Sequence, residues 1–411
     1  MVRIVDLIVT RATQDAATGP ARLPWGAALL FGLAVTLIYH YSLPGGTGFD
    51  QYQRLADAFL HGRVYLIDPP PHLELTHIGD RHYVIPPPLP ALLMLPYVAV
   101  AGERADQALF AAVAGGANAV VAFFVAVRLA RRRPDQWWLA VLFAFGSIVW
   151  YLAAGGSVWF IAHVIAALGL NVALLEALGS KRPALIGTGI AAAFWTHLPT
   201  VLTLPFFILM TVDRWAPDGL RRWRTIRLGY LNALAAPIAI VLLANFGYNW
   251  LRFGTIADVA YRLRNNAPNE PWFERGLFHP SYIPRHVYPL LRQLPVVQPT
   301  FPYITYSISG LAIWVTTPAF LFALRAPLRS ASTWATWAGI VPTALLVMSH
   351  GTTGMEQFGY RLAVDFYPLL FFLTVSGMRP PLRPIHKVAI VLSVLVNLWG
   401  MVWTRMGWKV L

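Results

Sequence analysis

The chain has 411 residues, 57% of them apolar and only 12% charged, with 32 Lys and Arg against 18 Asp and Glu and no cysteine. That composition excludes a soluble globular protein, in which roughly 25% of residues are charged, and the missing cysteine excludes disulfides, thiolate metal sites and cysteine nucleophiles together. The net charge of +14 is not a nucleic-acid footprint, because much of it sits in short basic clusters between apolar runs, where arginine and lysine mark the cytoplasmic side of a membrane.

The expected fold is an all-α polytopic membrane protein, a single integral membrane domain over residues 1–411 with no separate soluble domain. Arg3, Arg11 and Arg22 precede an apolar run at 23–41, which reads as an uncleaved first span with its N-terminus inside. Residues 43–106 hold too many prolines, histidines and charges to cross and form a long outer loop. A helix near its start places Asp50, Arg54, Asp57 and His61 on one face and Tyr52, Leu55, Ala56, Phe59 and Leu60 on the other, a pattern suited to lying flat on a membrane surface. Residues 72–85 read as two short strands around Gly79-Asp80. Residues 86–102, apolar but interrupted by Pro86, Pro87, Pro88, Pro90 and Pro96, read as an interfacial or re-entrant segment.

Keeping 86–102 out of the span count delivers Arg128, Arg131, Arg132 and Arg133 to the inside after a span at 107–130. The same parity serves spans at 137–153 and 158–178, a short pair at 185–199 and 202–212, and spans at 228–251, 306–324, 333–349, 362–375 and 388–402. A single span in place of the pair would put Arg221, Arg222, Arg224 and Arg227 outside. The sum is about eleven spans, N-in and C-out, with a second long outer loop at 252–305 and no visible internal repeat.

Candidate chemistry gathers in three segments, all on the outer side. Asp50 has two readings: Thr47-x-x-Asp50 has the form of a capping box, and an ionised Asp50 is also a general base for an acceptor hydroxyl. Asp57 is the second acidic candidate, with a surface pair to Arg54 as its plain alternative. Arg262, Arg264, Arg275, Arg285, His286 and Arg292 accumulate in the second loop, either attracted to anionic headgroups or, at Arg285 and His286, forming a phosphate clamp. Glu356, Gln357, Tyr360, Arg361 and Asp365 lead into a late span, where Arg361 and Asp365 at i, i+4 either neutralise each other or serve a site. His197 lies near the outer end of a short span, and with Arg54 and Tyr52 completes the candidate cavity lining. His72, His77 and His82 recur every five residues without converging, so neither a metal nor another cofactor is expected. Walker, dinucleotide-binding, His-Glu-x-x-His and nucleophile-elbow motifs are absent from the sequence.

The N-in first span, the loop opening with Phe49-Asp50-Gln51-Tyr52, the segment Pro86-Pro87-Pro88-Leu89-Pro90, the run Arg131-Arg132-Arg133 and the later Gly359-Tyr360-Arg361-Leu362-Ala363-Val364-Asp365-Phe366-Tyr367-Pro368 together resemble the GT-C superfamily of membrane glycosyltransferases. The similarity is greatest to bacterial relatives of the dolichyl-phosphate-mannose protein mannosyltransferases and extends over nearly the whole chain. It implies a polyprenyl-phosphate sugar donor, an inverting transfer to a hydroxyl of a glycan, lipid or protein acceptor, and an active site on the extracytoplasmic face of a bacterial plasma (inner) membrane. The family's catalytic aspartate is matched by Asp50. Two departures concern the acceptor: Gln51 stands where the family often has a second acid, and the proline segment lacks a preceding histidine and a following basic residue. In the mechanism expected, Asp50 activates the acceptor and Arg285 or Arg361 steadies the leaving lipid phosphate. The alternative is a transporter or flippase of a lipid-linked phosphorylated substrate, which requires polar residues through the bilayer midplane rather than at the outer ends of spans.

Overall fold

The computed structural model describes residues 24–217, 225–264 and 270–408; the expected basic residues Arg3, Arg11, Arg22, Arg221, Arg222 and Arg224 lie outside them. The first apolar run folds as α1 (Trp25–Ser42), which leaves Leu29, Leu30, Leu33 and Leu37 exposed, as a lipid-facing helix does. After it, α2 (Gln51–Leu60) turns Tyr52, Leu55 and Ala56 inward, as the sequence period requires. The strands β1 (Leu75–Ile78) and β2 (Arg81–Val84) pair antiparallel around Gly79 and Asp80, with His77 opposite His82. The proline-rich segment forms α3 (Leu89–Ala101), 13 residues long with Pro96 inside it, and α2 packs on this helix.

The bundle follows with α4 (Gln107–Leu129), α5 (Arg133–Phe145), α6 (Val149–Gly155), α7 (Val158–Ala177), α8 (Pro183–Phe194), α9 (Leu228–Phe253), α10 (Ala331–Met348), α11 (Tyr367–Met378) and α12 (Pro384–Arg405). Among the described residues seven helices are long and apolar enough to cross a membrane, the 3-10 turn Arg361–Phe366 counted with α11, and an eighth results if α5 and α6, bent by 49°, form one span. Three of the eleven expected spans are carried by other forms. The short pair is α8 and the stretch Leu198–Met210. The expected span at 306–324 is not one helix: a short helix, Ile313–Thr316, gives way at Pro318 to the 3-10 run Pro318–Arg325, because proline cannot continue the hydrogen-bond ladder.

Neighbouring helices pack in the order α1–α4–α7–α8–α9. At the α7–α8 crossing the backbones touch: a Cβ on Gly169 would lie 2.6 Å from the Gly189 carbonyl oxygen, and one on Gly189 2.5 Å from that of Gly169. Polar side chains inside the bundle bond across helices, Asn171 donating to Asn118 Oδ1 at 2.7 Å between α7 and α4. Gln107 ties the first loop to this core. Its Oε1 accepts from the backbone N–H groups of Tyr52 and Gln53 at 2.9 and 3.2 Å, and its Nε2 donates to the carbonyls of Phe49 and Gly156 at 3.0 and 2.8 Å. The start of α2 is thus capped from another helix, whereas the Asp50 side chain makes no cap bond and Thr47 Oγ1 accepts only from Phe49 N.

Gly169→Val is expected to destabilise the bundle by about 1–3 kcal/mol through forced separation of α7 and α8. Gly26→Val, where an added Cβ meets nothing within 4 Å, serves as control. Thermal unfolding in detergent checks both: the first midpoint falls and the second stays.

Candidate active site

The C-terminal ends of α1, α6, α10 and α12 and the start of α7 meet the two long loops at one end of the bundle. They enclose a cavity of about 1100 Å³, its wall drawn from Phe49, Glu74, Trp159, Arg264, Glu356 and Arg405 among others. A second, narrower and mainly apolar cavity of about 280 Å³ adjoins it, walled by Pro86 and Pro87, by Val158 and Ala162 of α7, and by Leu198 and Pro199. Arg361 lines both. Its guanidinium stands at the seam between a polar chamber and an apolar slot.

The loop before α11 holds that guanidinium in place. Arg361 NH1 donates to the carbonyl of Met355 at 2.9 Å and to Gln357 Oε1 at 3.3 Å, while the Gln357 amide donates to the carbonyls of Ser309 and Thr353 at 2.8 and 3.0 Å. Gly354 has φ 83°, and a Cβ there would sit 2.9 Å from Arg361 Cζ, so the turn around the cation requires glycine on two counts. On the opposite wall Arg264 bridges Glu74 and Glu270, and Trp159 Nε1 donates to Glu74 Oε2 at 3.0 Å. Both oxygens of Glu74 are therefore engaged.

The expected site residues separate into those at the cavities and those away from them. Arg361 and Glu356 stand on the polar cavity, and His197 lines the apolar one. Gln357 is buried behind Arg361 as its support. Asp50 is outside the cavity wall but directly follows Phe49, which is on it; its carboxylate is 18% exposed and bonded through Oδ1 to Arg54 Nε at 2.7 Å. The surface pair expected between Arg54 and Asp57 is replaced by this one, and Asp57 faces His61 at 3.6 Å on the exposed side of α2. Tyr52 is wholly buried in the core rather than on a cavity.

The Arg285–His286 clamp is corrected by its surroundings. Arg285 NH1 donates to the carbonyls of Trp272 and Gly351 at 3.1 and 2.7 Å, bracing the second loop, and Arg285 itself lines neither cavity. His286 is fully buried, with Nε2 donating to the His350 carbonyl and Nδ1 accepting from the buried Tyr360 hydroxyl, each at 2.7 Å. Burial pushes its pKa down to about 4, so it carries no charge with which to hold a phosphate at neutral pH. Arg361 and Asp365 do not pair either. Asp365 lies between two histidines, His163 Nδ1 at 2.9 Å from Oδ1 and His197 Nδ1 at 2.7 Å from Oδ2. His163, Glu74 and Trp159 were not among the expected residues. The signal for His163 is its position as an ionisable side chain inside an apolar span.

Two outcomes are expected. Gly354→Ala displaces Arg361 and costs about 1–3 kcal/mol, read as a lower unfolding midpoint in detergent. His286 and His350 both have folded pKa values pushed down to about 4 by burial, below the ordinary 6.5. Their unfolded forms bind the proton first, so the stability from keeping them neutral is full above about pH 6.5 and is lost as pH falls toward about 4, on the order of 3 kcal/mol for each. Unfolding followed from pH 7 to pH 4 measures this loss, and His286→Gln flattens the profile.

No protein-family model and no curated protein matches the sequence. Two solved structures are similar in fold. The crystal structure of ArnT from Cupriavidus metallidurans bound to undecaprenyl phosphate matches at 14% identity with a TM-score of 0.53, over 90% of this chain and 63% of that one. The apo Archaeoglobus fulgidus oligosaccharyltransferase matches at 11% identity with a TM-score of 0.51, over 93% of this chain and 55% of that one. The chain thus spans less than two thirds of either structure, and neither likeness singles out a mannosyltransferase. The likeness to both membrane proteins is one of overall fold.

Proposed function

We propose that the chain is a membrane glycosyltransferase that moves a sugar from a polyprenyl-phosphate donor to a hydroxyl acceptor, with inversion at the anomeric carbon. The observation that carries this reading is Arg361 at the junction of the two cavities. A lipid-linked sugar has three parts of different chemistry, and the site offers a matching surface for each: an apolar slot for the first isoprene units, a fixed guanidinium for the phosphate, and a polar chamber for the sugar and acceptor. That ArnT was solved with undecaprenyl phosphate bound supports the donor class.

In the proposed step Asp50 takes the acceptor proton through Oδ2, since Arg54 holds only Oδ1. The acceptor oxygen attacks the anomeric carbon, the bond from that carbon to the phosphate oxygen breaks, and the lipid phosphate leaves with an added negative charge. Arg361, positioned beforehand by Met355 and Gln357, stabilises that charge. Glu74 is a poorer base than Asp50, because Arg264 and Trp159 occupy both its oxygens. The proposed location is the plasma (inner) membrane of a bacterium with the cavity on the extracytoplasmic side; the helix ends that meet at the cavity are those assigned to that side by counting arginines.

Transfer from a radiolabelled polyprenyl-phosphate hexose tests the assignment. Asp50→Asn is expected to lower transfer by about 100-fold or more with unchanged unfolding, and Arg361→Gln by on the order of 100-fold. Activity near wild type in a folded Asp50→Asn protein removes Asp50 from the role.

A further inference from the structure

Asp365 is fully buried, and a carboxylate in that position needs partners for both oxygens. The partners come from separate elements: His163 from α7, about 8 Å below its start, and His197 from the link after α8. His163 Nδ1 makes an aligned contact with Oδ1 at 2.9 Å. His197 Nδ1 is only 2.7 Å from Oδ2, yet neither of these atoms makes an aligned hydrogen bond. One imidazole nitrogen and one carboxylate oxygen are thus left without an aligned partner, the two atom types that a divalent transition-metal ion takes as ligands. The donor atoms of all three residues lie within 4.8 Å of one another, against about 3.4 Å for donors placed about 2.1 Å from a tetrahedral ion.

We propose that His163, His197 and Asp365 bind one divalent transition-metal ion of the Zn²⁺ type. Two imidazoles and one carboxylate suit such an ion, and three protein ligands leave a position open. Both histidines line the apolar cavity, so the open position faces it. One carboxylate against a divalent ion leaves a net charge of +1, which favours an oxyanion such as a phosphate group there. Metal binding is read without substrate, so this proposal stands or falls apart from the sugar-transfer reading.

The test uses the tag-free full chain in detergent, stripped with chelator, loaded with Zn²⁺ and freed of excess ion. Elemental analysis is expected to find about one zinc per chain in the wild type and less than about a tenth in His163→Ala, His197→Ala and Asp365→Asn. Co²⁺ loading is expected to give the visible absorption of a four-coordinate cobalt site, lost in the same variants. His197→Gln, at the most accessible of the three residues, keeps the test open if His163→Ala or Asp365→Asn fails to fold. A folded wild type that retains less than about a tenth of an equivalent overturns the proposal, as do folded variants that keep the full equivalent.

Discussion

The arrangement of the site depends on one cation that the fold has taken partly out of water. Arg361 is half-buried at the head of an apolar helix, and its guanidinium is not neutralised by the nearest acid in sequence. Carbonyl and amide oxygens from the preceding loop hold it, and these fix its direction without cancelling its charge. The positive charge therefore remains available to a ligand in either cavity. Because the supporting bonds run through Gln357 to Ser309 and Thr353, a change anywhere in this set moves the charge relative to both cavities.

Several other buried polar groups answer the same constraint, that in an apolar chain a buried polar atom finds its partner within the protein. Gln107 caps α2 from α4, Asn118 and Asn171 bond to each other between helices, and His286 is shared between a hydroxyl and a carbonyl. These bonds join segments distant in sequence. They set the first and second loops against the bundle, at the end where the polar cavity lies.

Long apolar runs made most of the membrane helices legible, since α1, α4, α7, α9, α10 and α12 each fill a run bounded by polar residues. Gly79-Asp80 marked the hairpin for the same kind of reason: its signal is local. The region at 306–324 was not legible as a broken segment, because its composition is as apolar as a span and the interruption at Pro318 depends on where the run begins. In the site, Arg361 and Asp365 stood out as charges inside a span, but their i, i+4 pairing assumed an α-helix. Residues Arg361–Phe366 form a 3-10 turn instead, with three residues per turn, so the two side chains point apart. The capping box at Thr47 and the clamp at Arg285–His286 failed for a tertiary reason, since Gln107, Tyr360 and His350 supply or occupy the bonds that local sequence had assigned.

In the proposed reaction Arg361, and not Arg285, holds the phosphate of a lipid-linked donor. Native mass spectrometry of the detergent-solubilised protein incubated with polyprenyl phosphate measures this directly. A lipid-bound species is expected for the wild type and for Arg285→Ala, with its loss in Arg361→Ala. Equal lipid retention in Arg361→Ala and the wild type would contradict it.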